Sequence, residues 1–266
     1  NYRQPIADMR LPDGSRANAV LPPVATDGPI FTIRKFTGIK LSGEALIATD
    51  FITRECLDYL GDAIRQRESI MISGGTGSGK TTLLNVLSSE IPARERVVTI
   101  EDSSELQLQG HENLVRLEAR LPGPDGSGQI TIADLIKTAL RMRPDRIIVG
   151  EVRGAEAYDL LSSMNTGHPG TLCTGHANSC RDMVSRLANL VLHVSNMPYE
   201  TILREVAAAV HILVHIRRTS EGKREISEVY RLYPDDKQIY RLEAVFLRQM
   251  EGSDLVYQTT YQTPGD

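Results

Sequence analysis

Short apolar runs alternate with helical stretches along most of this chain. After Ser69, the apolar runs are Ile70–Ile72, Val97–Ile100 and Ile147–Val149, and the helical stretches are Thr81–Glu90 and Ile132–Met142. Continuous apolar runs are typical of strands that are buried on both faces, and helices between them indicate crossover connections. The pattern therefore predicts an α/β fold with a mostly parallel sheet and helices on both of its faces.

The carboxyl-terminal part of the chain becomes rich in strands. The pattern after Met197 predicts a helix, a strand, and two β-like runs that meet at a turn. These elements are Tyr199–Ala209, Ile212–Ile216, Glu225–Leu232 and Gln238–Leu247, with the turn at Pro234–Asp236.

The amino-terminal residues consist of short β-like runs between turn-forming residues. Ala17–Leu21 and Ile30–Phe36 are such runs, and they are typical of a small β-rich domain. We predict that residues 1–39 are the carboxyl-terminal portion of that domain, residues 40–50 a linker and residues 51–266 the α/β domain. Thr53 is a suitable N-cap for a helix that runs to about Arg67. Because the chain begins without Met or a signal-peptide pattern, we expect it to start inside a longer protein.

Composition limits the classes of partner. The 266 residues are 41% hydrophobic and carry a formal net charge of −4, so nucleic acid is the weaker candidate partner. Three cysteines are a sparse, odd set, which favours a reducing, cytoplasmic location over a disulfide framework. The longest apolar stretch, Val206–Ile216, falls short of the roughly 20 residues that a spanning helix needs. Any membrane contact is therefore expected to be peripheral.

The strongest chemical signal is the segment Gly74–Thr81, which fills every position of the G-x-x-x-x-G-K-[ST] phosphate loop. An apolar strand precedes it and a helix follows, so helix N–H groups face a bound phosphate. Lys80 is expected to reach the β and γ phosphates and Thr81 to hold Mg²⁺. The residues predicted to bind ATP here are Gly75, Thr76, Gly77, Ser78, Gly79, Lys80, Thr81 and Thr82.

Carboxylates follow two of the predicted strands. Glu101, Asp102 and Glu105 come directly after Val97–Ile100. The carboxyl edge of an open α/β sheet is where ligands bind, so a carboxylate there could activate water or order the metal's hydration shell. Which of Glu101 and Glu105 acts as the base stays open, and a solvated loop is the alternative.

Two further strand ends supply candidate side chains. Arg146–Glu151 is an apolar strand that ends in a carboxylate, the form of a metal-side Walker B motif, with Gly150 in place of the usual Asp. Glu151 must then supply the carboxylate of this motif by itself. His176 closes another strand-like run, where a polar side chain could sense a γ phosphate.

Arginines could stabilise the charge of a phosphoryl-transfer transition state. The candidates are Arg16, Arg34, Arg116, Arg120, Arg141 and Arg153. Arg34 lies in a β-like run close to the linker, and Arg116 and Arg120 flank the strand-like Leu114–Ala119.

Zinc is a weaker hypothesis for His168, Cys173, His176 and Cys180, although thiolates and imidazoles are its ligands. The spacing lacks paired C-x-x-C motifs. Cys173 and His176 are three apart on a probable strand and are expected to point to opposite faces.

The ensemble resembles the Walker A, Asp box, Walker B and His box of the type II/type IV secretion ATPases, the GspE/VirB-type NTPases. The four segments are residues 74–81, 99–105, 143–154 and 175–178, in matching order and spacing. Leu11–Val20 and Phe31–Phe36 resemble the tight-adherence (Tad), CpaF-like branch of pilus assembly ATPases. The resemblance extends from about Pro5 to Leu232.

This resemblance implies a RecA-like P-loop NTPase domain, preceded by part of a small α+β, PAS-like domain, in a homohexamer that uses ATP and Mg²⁺. It implies a cytoplasmic motor, peripheral at the inner membrane and docked on a platform protein, for pilus assembly or protein secretion. The implied roles are Glu105 or Glu101 as water-activating base, Glu151 at Mg²⁺, His176 as γ-phosphate sensor, and Arg16, Arg34, Arg116 and Arg120 as clamps from the same or a neighbouring subunit. Gly175 stands where relatives often carry a bulkier apolar residue, which affects the posture of His176.

Two alternatives use the same core. A DNA-translocating, conjugation-type ATPase is disfavoured by the acidic balance and by the absence of Trp, since single-strand binding favours aromatic platforms in a basic groove. A nucleotide-gated scaffold would bind ATP without turnover.

Overall fold

The computed structural model describes residues 4–35, 41–123, 125–251 and 254–259, with backbone alone for residues 249–251 and 254–259. The chain divides into two compact units, Asn1–Lys40 and Leu41–Asp266. In the described part of the first unit, three strands form an antiparallel sheet in chain order. They are β1 (Ile6–Arg10), β2 (Arg16–Val20) and β3 (Ile30–Arg34). The last two confirm the predicted β-like runs, although β3 ends at Arg34, and residue 36 lies outside the described residues.

The second unit is built on a nine-stranded sheet. Its strands are β4 (Ile70–Gly74), β5 (Arg96–Glu101), β6 (Asn113–Glu118), β7 (Arg146–Val152), β8 (Leu172–Gly175), β9 (Ile212–Arg218), β10 (Arg224–Asp235), β11 (Ile239–Glu251) and β12 (Asp254–Thr259). They lie in the order β12-β11-β10-β9-β4-β8-β7-β5-β6. The six strands from β9 to β6 pair in parallel, and β10 to β12 extend the sheet in antiparallel fashion. The predicted α/β fold with a mostly parallel sheet is confirmed.

Among the described residues, two helices precede β4, and the other five lie between parallel strands. The helices are α1 (Gly43–Ala48), α2 (Arg54–Arg65), α3 (Lys80–Ser88), α4 (Ile132–Ala139), α5 (Glu156–Asn165), α6 (Cys180–Leu192) and α7 (Tyr199–Ala209). In the part of the chain that the structure describes, none of the helices has the length and apolarity that crossing a bilayer requires.

Local chemistry explains where the helices begin and end. The Thr53 hydroxyl accepts a hydrogen bond from the Cys56 N–H, so the predicted N-cap of α2 is confirmed. Thr131 and Asp134 form a reciprocal capping box at the start of α4. This helix ends at Ala139, because a single 3-10 turn follows and Arg143 then adopts a left-handed φ of 54°.

The side chains of the parallel strands pack into two separate hydrophobic cores, one on each face of the sheet. Along β4, Ile70 and Ile72 pack into one core, whereas Met71 packs into the other. This alternation follows from the two-residue period of a strand. Both cores are closed by helices, with Leu83 of α3 on one side and Leu187 of α6 on the other.

A helix that the sequence analysis missed lies inside the predicted linker, residues 40–50. The Ser42 hydroxyl caps α1 by accepting a hydrogen bond from Ala45 N–H, and Leu46 is buried. The helix has only six residues, too few for a clear periodic signal. Its stability comes from its cap and from this one buried side chain.

Candidate functional site

The phosphate loop joins the carboxyl end of β4 to the start of α3. Gly79 is the N-cap of α3, with a φ of 106° and no side-chain cap. The first N–H groups of the helix are therefore left for a ligand. A Cβ at Gly74 would lie 2.5 Å from the Ile216 carbonyl oxygen and 2.6 Å from the Ser78 hydroxyl. Only glycine fits where the loop leaves the strand.

The loop has room for an anion. A Cβ at Gly75 or Gly77 would meet no described atom within 4 Å, so the backbone here faces open space. The Ser78 hydroxyl is buried without a hydrogen-bond partner among the described residues. These features fit a polyphosphate, which carries many acceptor oxygens and can approach bare backbone closely.

Lys80 points back along the loop. Its ammonium donates hydrogen bonds to the Gly74 and Gly75 carbonyl oxygens, each at 2.9 Å. Burial lowers the pKa of Lys80, an effect that the Glu151 carboxylate opposes and Arg153 reinforces. The ammonium is thus partly desolvated and held within the loop.

His176 and Glu151 lie directly beside Lys80. The His176 Nδ1 is 3.1 Å from the Gly74 carbonyl oxygen and 3.4 Å from the Lys80 ammonium. On the other side of the ring, His176 Nε2 is 2.6 Å from Glu151 Oε1. The structure therefore gathers at one point three side chains from three different strand–loop junctions.

An irregularity in β7 helps to place Glu151. The register between β7 and β8 shifts between Val149 and Val152, the interval that contains Gly150 and Glu151. Bulges of this kind change the direction of a side chain at the end of a strand. Burial tends to raise the pKa of Glu151, but the Arg153 hydrogen bond and the charges of Arg153, His176 and Lys80 hold it below its usual value.

Arg153 extends this cluster to the end of β5. Its guanidinium donates to Glu151 Oε2 and lies 3.5 Å from an oxygen of Asp102. A continuous polar chain thus runs from Asp102 through Arg153, Glu151 and His176 to Lys80. Arg153 was one of six candidate arginines in the sequence and was not among the predicted site residues. The available signal was its position two residues after Glu151, which places both side chains on one face of an extended segment.

Glu101 and Glu105 occupy different environments. Glu101 is only 4% exposed, and its Oε1 accepts hydrogen bonds from the N–H groups of Glu105 and Leu106 at 2.9 and 3.0 Å. Burial raises the pKa of Glu101 to about 7 against these two hydrogen bonds. Glu105 is half-exposed, and its charge contributes to the raised pKa of Arg153, after the larger effect of Glu151. Glu101 therefore holds the loop that carries Glu105.

Glycines beside two site residues make room for their neighbours. A Cβ at Gly150 would lie 2.9 Å from the Glu101 Cγ, so Glu101 fills the space that a Walker B aspartate would need. At Gly175, a Cβ would lie 2.7 Å from the Met71 Cε and 2.9 Å from the Met183 Cε. The two methionines thus replace a bulkier residue before His176.

The other predicted arginines lie elsewhere. Arg116 and Arg120 are exposed on and just after β6, which is separated from β4 by β5, β7 and β8. At about 4.8 Å per strand they lie on the order of 19 Å from the loop, so they do not join the loop of their own chain. Arg16 and Arg34 face each other across β2 and β3 in the first unit. Any role of these four in a neighbouring site stays a prediction.

The residues of the zinc hypothesis are dispersed. All three cysteines are free and buried, and burial raises the pKa of Cys173 to about 12. Cys173 packs against the Met71 sulfur at 3.0 Å. Within the described ranges, no three His, Cys, Asp or Glu side chains form a cluster that could hold a metal ion by themselves.

A strand, a glycine loop and a helix, with the His176 imidazole between Lys80 and the Glu151 carboxylate, define a domain of the P-loop class. The family described as Type II/IV secretion system protein matches residues 1–261, and the chain belongs to this family. The VirB11 ATPase of Brucella suis, solved in complex with sulphate, superposes with a TM-score of 0.59 at 34% identity, over 87% of this chain and 77% of that one. The fold is accordingly RecA-like.

Curated relatives agree with this assignment. Conjugal transfer protein TrbB of Rhizobium radiobacter is 38% identical over 225 residues, which are 83% of this chain and 66% of TrbB. A Mycobacterium tuberculosis relative, whose name assigns it to conjugal transfer, is 40% identical over 214 residues. The match covers 80% of this chain but only 60% of that relative.

Proposed function

We propose that this chain hydrolyses ATP in a Mg²⁺-dependent reaction. The observation that carries the proposal is the convergence of Lys80, Glu151, His176 and Arg153 at a loop whose backbone faces open space. A solved relative that is an ATPase and binds sulphate supports it. Charge stabilisation and positioning then supply most of the catalysis.

Glu101 and Glu105 have different roles because their environments differ. Glu105 is the better candidate base, because it is partly exposed and close enough to Arg153 to affect its pKa. It accepts the proton of a water whose oxygen attacks the γ phosphorus while the bond from that phosphorus to the bridging oxygen of ADP breaks. Both Glu101 oxygens are buried, and one of them is already bonded to backbone, so Glu101 is a positioning residue.

The remaining residues fit the ligands. Thr81, second residue of α3, and Glu151 have the oxygen donors that Mg²⁺ prefers, and the ion would neutralise phosphate charge when bound. His176 is placed to respond to a phosphate because it contacts both Lys80 and Glu151. The first N–H groups of α3, including that of Thr82, add donors for the phosphates.

At the level of the whole protein, we propose a cytoplasmic homohexameric motor, peripheral at the inner membrane, that acts on a platform protein of a pilus or secretion machine. Membership of the secretion family supports this role, and the amino-terminal motifs favour the Tad, CpaF-like branch. Closure and opening of the site would move the docked partner. A DNA-transferring role is the second candidate, supported by the identity to TrbB.

Release of inorganic phosphate from ATP tests the proposal. Glu105→Gln should reduce kcat by two orders of magnitude or more while nucleotide binding persists, and Lys80→Ala should weaken binding itself. Arg186→Ala, an exposed change on α6, is the matched control. An unchanged rate in both Glu105→Gln and Glu151→Gln would identify a scaffold rather than a motor. Stimulation by DNA at low salt would favour the DNA-transferring role.

A further inference from the structure

The turn between β9 and β10 concentrates positive charge beside the phosphate loop. Arg217 and Arg218 end β9, and Lys223 and Arg224 follow within six residues. Arg218 stands directly opposite Arg224 in the antiparallel register, and both are exposed. Like charges in this arrangement destabilise a hairpin.

Of these four cations, only Arg217 is paired with a carboxylate among the residues that the structure describes. Arg217 binds Glu225 at 2.6 Å. Among the described residues, the Arg218 Nε donates to the Gly222 carbonyl oxygen of its own turn, at 3.3 Å. The side chains of Lys223 and Arg224 have no hydrogen bond or ion pair with any part of the chain that the structure describes. An anion at the turn would offset their mutual repulsion.

Arg224 lies alongside the phosphate loop. Its Cδ is 3.8 Å from the position of a Cβ on Gly79, the N-cap of α3. The guanidinium begins at the next atom, Nε, so this side chain is long enough to bring it to a phosphate at the N–H groups that begin the helix. The buried Ser78 hydroxyl, which is 3% exposed and without a partner among the described residues, is an independent sign of a ligand at the same loop.

A buried ionic network fixes the hairpin in this position. Glu225, next to Arg224, accepts from Arg217 on one oxygen and lies 3.2 Å from Arg248 on the other. Arg248 in turn binds the Asp50 carboxylate and, at 2.9 Å, its carbonyl oxygen. The Ile226 N–H also donates to the Phe51 carbonyl oxygen at 2.9 Å. The backbone that carries Arg224 is thus held in place before any ligand binds.

We infer that Arg224 is a further phosphate-contacting residue, which binds the phosphate chain of a nucleotide from the β9 side of the loop. The inference rests on the proposed nucleotide-binding function and adds a contact that its sequence motifs do not contain. A guanidinium suits the task because its planar fork can donate two hydrogen bonds to one phosphate. Lys223 and Arg218 add to the local potential without needing direct contact.

Titration calorimetry with ADP, ATP and adenosine tests the inference on the whole chain. Arg224→Ala should weaken ADP and ATP about tenfold, as expected for one charge-assisted contact, and should reduce the salt dependence of binding. Arg224→Lys should recover part of the loss by restoring a point charge. Arg186→Ala should bind like the wild type, and cooperative thermal unfolding of Arg224→Ala and Arg224→Lys at or above the wild-type temperature shows that each is folded.

The outcomes separate this inference from the function on which it rests. Wild-type affinity for ADP in Arg224→Ala, together with loss of binding in Lys80→Ala, would overturn the role of Arg224 and leave the nucleotide site intact. Equal weakening of adenosine and ADP would place Arg224 on the base and would also overturn the phosphate contact. Failure of the wild-type chain to bind ADP or ATP would overturn both proposals.

Discussion

Glu101 and Gly150 share one small volume at the carboxyl edge of the sheet. The Glu101 Cγ lies 2.9 Å from the position of a Cβ on residue 150. The Glu101 carboxylate is buried, and one of its oxygens accepts hydrogen bonds from two backbone N–H groups. A carboxylate in such a place pays a desolvation penalty that two hydrogen bonds only partly offset. Two predictions follow, one from the raised pKa of Glu101 and one from its close packing against Gly150.

The raised pKa of Glu101 predicts a pH dependence of stability. Because burial raises the pKa of Glu101 to about 7, the folded chain binds this proton more tightly than the unfolded chain. The resulting stabilisation is complete below about pH 4.5 and is lost as the pH rises through 7. Relative to Glu101→Gln, the wild-type free energy of unfolding should fall by up to roughly 3 kcal/mol between about pH 5 and pH 8. Urea unfolding across this range measures it.

Glu112→Gln is the matched control, since Glu112 is exposed on the chain just before β6. A plot of its free energy of unfolding against pH should run parallel to that of the wild type. If the curve of Glu101→Gln is parallel as well, Glu101 is not buried as the structure places it.

The close packing of Glu101 against Gly150 predicts a specific coupling. Gly150→Ala should destabilise the fold by about 1–3 kcal/mol through overpacking against Glu101. In a double-mutant cycle with Glu101→Ala the penalty should largely disappear. Gly154→Ala, whose Cβ would meet only the far end of the Glu156 side chain, should cost little, and an uncoupled cycle would contradict the packing.

At the scale of elements, the site depends on how the ends of β5 and β7 are tied together. Arg153, after β7, binds Glu151 and approaches Asp102, which follows β5. The same Glu151 contacts His176 after β8. Arg153 and Glu151 therefore link the ends of β5, β7 and β8, so that a substitution at one strand end alters the electrostatics at the other two.

Removal of Arg153 should therefore shift the pH profile of the proposed reaction. Arg153 lowers the pKa of Glu151, so Arg153→Ala should raise it and move the acidic limb of kcat/KM to higher pH. Arg153→Lys should restore the position of the limb in part. A lower rate with an unmoved acidic limb would show that Arg153 does not act through Glu151.

At the scale of the whole α/β unit, one buried network joins the beginning of the unit to its last strands. Arg248 on β11 and Glu225 on β10 have side chains that are 2% and 3% exposed, and Arg248 also binds Asp50. Asp50 precedes Phe51, whose ring lies 3.2 Å from the Cβ position of Gly79. The packing beside the phosphate loop thus depends on Asp50 and Arg248, which are almost 200 positions apart in the chain.

Breaking this network should be costly. Arg248→Ala leaves Glu225 buried with only the half-exposed Arg217, and we expect a loss of roughly 3 kcal/mol in the free energy of unfolding. Arg54→Ala removes an exposed ion pair with Glu44 and should change stability little. Equal unfolding midpoints in denaturant for the two variants would show that the network does not stabilise the fold.

Much of the fold could be predicted because the signals are local. The apolar runs at Ile70–Ile72 and Val97–Ile100 are buried strands, and the Thr53 cap starts α2. The helices α1, α5 and α6 and the strands β1 and β12 were not predicted individually. Of these, α1, β1 and β12 are only five or six residues long and are stabilised by neighbours rather than by their own pattern.

By itself, the sequence determined the phosphate loop, the alternation that makes a parallel sheet, and which residue types stand at the strand ends. These follow from spacing along the chain, where backbone periodicity and glycine content act directly. Only the tertiary structure decided that Glu101 is buried while Glu105 is not, that Arg153 lies beside Glu151 while Arg116 is distant from the loop of its own chain, and that Arg224 approaches Gly79. Strand order and side-chain packing set those distances, and neither is written in the local sequence.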